Sequence, residues 1–234
     1  MITLSKISLA FDSKSILQSA DCTFAGGTLT ALVGRNGAGK STLLRVLAAI
    51  DAPKSGEVIV GGKPLHTLSA EDRARVISFV STQRVRVANL LCRDVVAIGR
   101  APYTNWMGSM QREDIDIVNS ALASVGMSDF ALRPIDTLSD GECQRIMIAR
   151  ALAQQTPVIL LDEPTAFLDI PTRFEICRLL AHLAHTQGKT IIFSTHDIDA
   201  ALPVCDRVAV IDNREITLHP AAEAQSLLKS LFSL

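Results

Sequence analysis

No apolar stretch in this sequence approaches the roughly 20 residues that a bilayer-crossing helix needs, and the richest runs, such as Val158 to Leu161, have only the length of a strand. A membrane-spanning chain is therefore not expected. The opening residues Met1-Ile2-Thr3-Leu4-Ser5-Lys6 alternate like a strand and lack a basic region followed by an apolar core. No export signal is legible there, which points to a cytoplasmic protein. Positive charge is not in surplus either: the formal net charge is −1, too little to drive the phosphate neutralisation on which nucleic-acid binding depends, and no nucleic-acid partner is expected. The cysteines (Cys22, Cys92, Cys143, Cys177 and Cys205) show no CxxC or Cys/His spacing suited to a metal, so they read as reduced, mostly buried thiols. Internal repeats, low-complexity tracts and Pro- or Gly-rich linkers are missing, which argues for one compact unit with subdomains.

What is present is ample material for a core, since 48% of the 234 residues are hydrophobic. The runs Leu29 to Val33, Val76 to Val80, Val158 to Leu161 and Thr190 to Phe193 alternate with amphipathic helical stretches. Continuous apolar runs of this kind are the buried strands of a mostly parallel sheet with helices on its faces. Before about Gly62 the pattern differs: Ile2 to Ser8 and Glu57 to Val60 alternate and are punctuated by turn residues, as in an antiparallel sheet. Between about Arg84 and Pro134 helical periodicity takes over, with Ile115, Val118, Leu122 and Val125 on one stripe. The expected class is thus α/β, with an antiparallel β element at the N-terminus and a helical subdomain. Helical spacing returns from Glu223 to Leu234.

The strand Leu29 to Val33 runs directly into Gly34-Arg35-Asn36-Gly37-Ala38-Gly39-Lys40-Ser41-Thr42. This satisfies G-x-x-x-x-G-K-[ST] in its strand-loop-helix setting, the pattern of a phosphate-binding P-loop. Glycines allow backbone N–H groups to converge on phosphate oxygens, and a helix starting near Lys40 turns its positive dipole end to them. Lys40 supplies a point charge for the β- and γ-phosphates of a bound nucleotide. Ser41 offers a hydroxyl to Mg²⁺, a hard ion that prefers oxygen ligands.

Val158-Ile159-Leu160-Leu161-Asp162-Glu163 is an apolar run ending in two carboxylates, which places the acids at the ligand-bearing end of a buried parallel strand. Asp162 suits the Mg²⁺ shell. Alternation turns Glu163 another way, where a second carboxylate can orient or deprotonate a water, so Glu163 is the candidate catalytic base. A plainer alternative has the pair capping a helix after Pro164.

Leu138-Ser139-Asp140-Gly141-Glu142, followed by Gln144-Arg145 and a helical stretch to Ala151, resembles the signature, usually LSGGQ, of the ABC (ATP-binding cassette) ATPases. The other motifs of that family match in order: Gln83 as the Q-loop glutamine, Ala166-Phe167-Leu168-Asp169 as the D-loop, and His196 within Ser194-Thr195-His196-Asp197 as the switch histidine. The resemblance runs from Phe11 to about Ile211. It implies a P-loop NTPase of the ABC-ATPase fold, a single domain over residues 1–234 with a helical subdomain at about 84–155 inserted in a RecA-like core. It also implies that Gln83 approaches Mg²⁺ and the attacking water, that His196 contacts the γ-phosphate, and that Ser139, Gly141 and Asp169 belong to the nucleotide site. Taken singly, Gln83 also reads as a strand-end amide and His196 as the first turn of a helix. Phe11 sits where the family places an adenine-stacking aromatic, the role the resemblance implies, with an ordinary core role as the alternative.

Asp140 and Glu142 depart from the usual signature and bring two acids towards a polyphosphate. Ser139-x-x-Glu142 also reads as a capping box at a helix N-terminus, so weakened ATP binding and simple capping are both open. The resemblance implies a head-to-tail dimer with a second copy of the chain, each ATP held between the P-loop of one copy and the signature of the other. A polytopic membrane permease is the implied partner, with a substrate-binding protein acting indirectly, and the chain would sit peripherally on the inner face of the cell membrane.

Val95-Val96-Ala97-Ile98-Gly99-Arg100-Ala101-Pro102-Tyr103, followed by Trp106, Met107 and Gly108, is similar to importers of siderophores, haem and cobalamin. Tyr103 and Trp106 are open to two roles, contact with a permease or packing of a small helical subdomain. DNA-repair and chromosome ATPases of the same superfamily split the nucleotide site with a long coiled coil, whereas Lys40 to Leu138 is continuous here and lacks extended heptads. ABC translation factors normally carry two cassettes in one chain, and a small-molecule kinase has no use for the signature.

Overall fold

The computed structural model describes residues 1–11, 14–83, 87–104 and 108–232, with the side chains of all of these except 11, 14 and 229–232. The N-terminal strands β1 (Ile2–Phe11) and β2 (Lys14–Phe24) pair antiparallel, and the chain then enters β3 (Leu29–Gly34), every residue of which is buried. A loop leads to helix α1 (Lys40–Leu47), followed by β4 (Ser55–Val60) and the short β5 (Lys63–Pro64). Together β2-β1-β4-β5 form the antiparallel sheet anticipated for the N-terminal part.

Helix α2 (Ala70–Val76) is capped by Ser69, whose side chain accepts the Asp72 N–H, and it delivers the chain into β6 (Ile77–Val80). The strand expected at residues 76–80 therefore starts one residue later. Val76 still completes the helix that Ser69 nucleates, and the backbone becomes extended only at Ile77. Helices α3 (Cys92–Ala97), α4 (Arg112–Ser124) and α5 (Asp140–Ala153) lie between β6 and β7 (Val158–Leu161). Of the stripe read on α4 and its cap, Val118, Leu122 and Val125 are buried, but Ile115 is 47% exposed and lies outside the packed face.

Helix α6 (Ile170–Gln187) is capped at its start by Asp169, which accepts the Thr172 N–H, and at its end by Gly188 in the left-handed region. Then come β8 (Thr190–Ser194), α7 (Ile198–Ala201), β9 (Arg207–Asp212), β10 (Glu215–Pro220) and α8 (Ala221–Phe232). The main sheet has the order β10-β9-β3-β8-β7-β6, parallel except for the antiparallel edge strand β10.

Alternation along the central strands divides the core. Ile159, Leu161, Ile191 and Phe193 pack with the helices from α3 to α6, whereas Val158, Leu160 and Ile192 pack with α1 and the antiparallel sheet. A sheet covered on both faces leaves its strand ends as the place where polar side chains can gather. Among the described residues no helix is long and apolar enough to cross a membrane.

Candidate functional site

Three neighbouring strands, β3, β8 and β7, end side by side, and the registers Leu32 opposite Ser194 and Leu161 opposite Phe193 bring their exit loops together. Gly34 closes β3 where a side chain would not fit, because a Cβ there would lie 2.9 Å from the Ile211 carbonyl oxygen. Gly37 and Gly39 hold left-handed φ values of 73° and 94°, conformations that glycine adopts without a Cβ penalty. Gly39 is also the N-cap of α1, with no side-chain cap, so the first N–H groups of that helix are left for a ligand.

Lys40 is only 6% exposed, and its ammonium donates to the Gly34 carbonyl at 3.0 Å. Burial pushes its pKa down, while the nearby Glu163 and Asp162 carboxylates pull it back up. Ser41 Oγ donates to Asp162 Oδ1 at 2.9 Å, Ser194 Oγ donates to the same oxygen at 2.7 Å, and the Thr82 hydroxyl donates to the Asp162 carbonyl at 3.0 Å. Glu163 Oε1 lies 3.1 Å from His196 Nε2.

A cavity of about 400 Å³ is bounded by Asn36, Gly37, Gly39, Lys40, Ser41 and Thr42 on one side and by Glu163 and His196 on the other. Ile16, from the antiparallel sheet, completes its wall. Arg35 and Ala38 lie in the same loop, where the Ala38 N–H donates to the Arg35 carbonyl at 3.0 Å. The side chain of Phe11 lies outside the described residues, as do Trp106 and Met107.

The remaining candidates are not in this cavity. Gln83 is exposed and opens onto a separate narrow cleft of about 30 Å³, together with Asp136, Asp140, Gln144 and Phe167. Glu163 borders both spaces. Ser139 is the N-cap of α5, and its box with Glu142 is complete: the Ser139 N–H and hydroxyl donate to Glu142 Oε2 at 2.8 and 2.7 Å, and the Glu142 N–H donates to Ser139 Oγ at 3.3 Å. These bonds, the backbone one foremost, hold the Glu142 carboxyl below its usual range. Gly141 is tight against Thr172, where a Cβ would come within 2.7 Å of Cγ2. Asp169 caps α6. No helix follows Pro164 directly, since the next begins at Ile170, and capping therefore does not account for Asp162 and Glu163. Likewise His196 precedes α7, whose N-cap is Asp197.

Sequence reasoning assigned no role to Ser194, Thr165, Arg173 or Asp197. Ser194 accepts the Glu163 N–H at 2.8 Å, and Asp197 receives the Arg173 guanidinium at 2.6 Å and the Thr165 hydroxyl at 2.8 Å. For Ser194 and Asp197 the available signal was their position at the end of the apolar strand β8 or just after it, whereas Thr165, in the turn after β7, and Arg173, on α6, carried none.

A family model described as "ABC transporter" matches residues 17–166. The achromobactin transport ATP-binding protein CbrD of Dickeya dadantii is 37% identical over 236 residues, spanning 100% of this chain and 88% of that protein. The petrobactin import ATP-binding protein FpuC of Bacillus anthracis is 36% identical over 90% of this chain and 78% of its own length. Among solved structures, an inward-facing metal-chelate type ABC transporter matches with a TM-score of 0.87 at 26% identity, covering 100% of this chain and 89% of that one. The dimeric post-hydrolysis state of the cassette MJ0796 bound to ADP and Pi matches with a TM-score of 0.80 at 27% identity, covering 94% of this chain and 99% of that one.

Proposed function

This chain belongs to the ABC transporter family as an ATP-binding subunit, and from that premise we propose which residues run its ATPase cycle and which class of cargo it drives. It binds and hydrolyses ATP to power an importer, working with a second copy of itself and a membrane permease. We take residues 1–234 as one ATPase domain, with the helical part at about 84–155 inserted in the RecA-like core. Its place is peripheral, on the inner face of the membrane. A substrate-binding protein feeds the permease from the other side.

The observation that carries the site assignment is the convergence of Lys40, Ser41, Glu163 and His196 on one cavity, with Asp162 held to Ser41 behind it. Lys40 and the backbone N–H groups of residues 37–42 hold the phosphates. With Phe11 assigned to the adenine ring, Ile16 adds an apolar wall to the same cavity. The Ser41 hydroxyl and the Asp162 carboxylate are hard oxygen donors already paired across the site, a set that fits Mg²⁺; the family resemblance adds Gln83, which opens onto the neighbouring cleft that Glu163 also borders. Held by these residues, Mg²⁺ would supply positive charge to offset that of the phosphates.

Glu163 accepts a proton from the attacking water, and His196, held against it, contacts the γ-phosphate. Pre-set charges of this kind lower the barrier because they need no reorganisation as the phosphoryl group transfers. Ser139, Gly141 and Asp169 lie outside the cavity and act on the nucleotide of the second copy. Closing the dimer around ATP excludes water, and ATP's preference for the closed state shifts the attached permease between conformations.

For cargo we propose a ferric siderophore, haem or cobalamin. The cargoes named for the achromobactin and petrobactin relatives support this reading, as does the 95–108 segment. Uptake by a strain lacking this chain tests it, with labelled ferric siderophore, haem and cobalamin offered in turn. One chelate class should no longer enter, with recovery on supplying the wild-type chain but not Lys40→Ala. Undiminished uptake of all three would remove the cargo assignment.

A further inference from the structure

We infer that Ser194 is a positioning residue for both carboxylates of the site, the link that holds Asp162 and Glu163 in their separate working directions. The inference rests on the assignment of Asp162 to Mg²⁺ and of Glu163 to the attacking water.

Ser194 is the last residue of β8 and is 0% exposed. A serine hydroxyl has one proton to give and lone pairs to receive, and both capacities are used here. The O–H donates to Asp162 Oδ1 at 2.7 Å, and Oγ accepts the backbone N–H of Glu163 at 2.8 Å. One atom on the neighbouring strand thus grips two consecutive residues of the acid pair by different means, the first through its side chain and the second through its backbone.

Each grip has a consequence. Asp162 Oδ1 takes hydroxyls from both Ser41 and Ser194, at 2.9 and 2.7 Å, and two donors on one oxygen fix the rotation of the carboxylate about its Cβ–Cγ bond. Glu163 is a non-glycine residue in the left-handed region, with φ of 47°. Such a conformation persists only where its surroundings over-determine it. The bond from the Glu163 N–H to Ser194 is one such restraint, and it acts on the residue whose side chain lies 3.1 Å from His196. His196 itself stands two residues beyond Ser194, so one strand end sets both members of that pair. Alanine at 194 would leave a part-buried N–H without its acceptor and free the Asp162 carboxylate to turn, without touching Lys40 or the P-loop.

The test uses the full chain as wild type, Ser194→Ala, Ser194→Cys and Asp162→Asn. Binding of a fluorescent ATP is followed while Mg²⁺ is titrated, and kcat and KM are measured at saturating Mg²⁺. Ser194→Ala should raise the Mg²⁺ needed for half-saturation by about tenfold, the cost of one lost bond to a charged group. Mg²⁺-free nucleotide affinity should stay within about twofold, and kcat should fall by about tenfold with KM changed far less, the signature of lost transition-state positioning.

A role confined to folding would lower the melting temperature and leave the Mg²⁺ titration where it was. Ser194→Cys keeps the shape with a weak donor and acceptor and should move the titration in the same direction, so the question stays answerable if the alanine variant does not fold. Asp162→Asn separates the two levels of the inference. If it displaces the Mg²⁺ titration and neither Ser194 variant does, the positioning role is overturned. If Asp162→Asn also leaves the titration in place, the assignment of Asp162 to Mg²⁺ falls with it.

Discussion

Replacing Arg100 by alanine removes the centre of a buried polar cluster in the helical part. Arg100 is 4% exposed, and its Nε donates to Asp114 at 2.9 Å, while Nη1 donates to the Ala153 carbonyl at 2.9 Å and to Gln155 Oε1 at 2.8 Å. Its guanidinium carbon also lies 4.1 Å from the centre of the Tyr103 ring, and the Tyr103 hydroxyl donates to the Gln154 carbonyl at 3.0 Å. The 98–103 segment is thereby clasped to the end of α5. Gly99 belongs to the same clasp, since a Cβ there would lie 2.3 Å from the Arg150 carbonyl oxygen.

Without Arg100, Asp114 keeps the Gln111 N–H at 2.9 Å but loses its cation at a site only 6% exposed. Removing one partner of a buried pair costs about 3–5 kcal/mol, which for a chain of this size lowers the melting temperature by about 10 °C. Thermal and urea unfolding of the isolated chain measure this. The double variant Arg100→Ala with Asp114→Asn should recover about 1–2 kcal/mol of the loss, because the stranded charge is gone. A melting temperature of Arg100→Ala within about 2 °C of wild type would refute the clasp and return this motif to a surface role.

Gly39→Ala should weaken equilibrium ATP binding by more than about tenfold, because the loop holds φ of 94° and the new Cβ would come within 2.2 Å of Ile16 Cγ2; near-normal binding would mean that Ile16 does not shape the loop. Glu142→Ala should cost about 1 kcal/mol of unfolding free energy at pH 7 through the lost capping box. The folded-state pKa of Glu142 is lowered, so this contribution is present above the ordinary carboxylate range and is lost as pH falls through the lowered value. Unfolding free energies of the two proteins should therefore differ steadily from neutral pH down to about pH 4 and converge below it; a difference that grows on acidification would contradict the sign.

The strand ends that build the site were legible because parallel strands covered on both faces must be continuous apolar runs, and β3, β7 and β8 are such runs. Local codes were legible for the same kind of reason: the Ser139–Glu142 box needs residues only three apart. Contacts that depend on register between distant segments were not. Ile16 reaches the P-loop only because the antiparallel sheet folds over α1, and Ser194 meets Asp162 only because β8 lies beside β7. Arg100 read as part of a family motif, and its burial depends on the packing of segments 53 and 55 residues further along the chain. Whether the acids of the signature face a phosphate or a helix end was open in the sequence. For Glu142 the geometry favours the helix end, since its carboxylate is engaged by Ser139.

The measurement that bears most directly on the catalytic account is made on Glu163→Gln, which keeps the side chain's shape and removes its capacity to take a proton from water. Single-turnover hydrolysis and the lifetime of the ATP-bound dimer are followed on the same protein at saturating Mg²⁺. Nucleotide binding should survive, turnover should fall by roughly 10²–10⁴-fold, the range for a positioned proton acceptor, and ATP should accumulate in a long-lived dimer. Near-normal turnover would remove Glu163 as the base, and slow turnover without an accumulating dimer would contradict the cycle in which hydrolysis opens the closed pair.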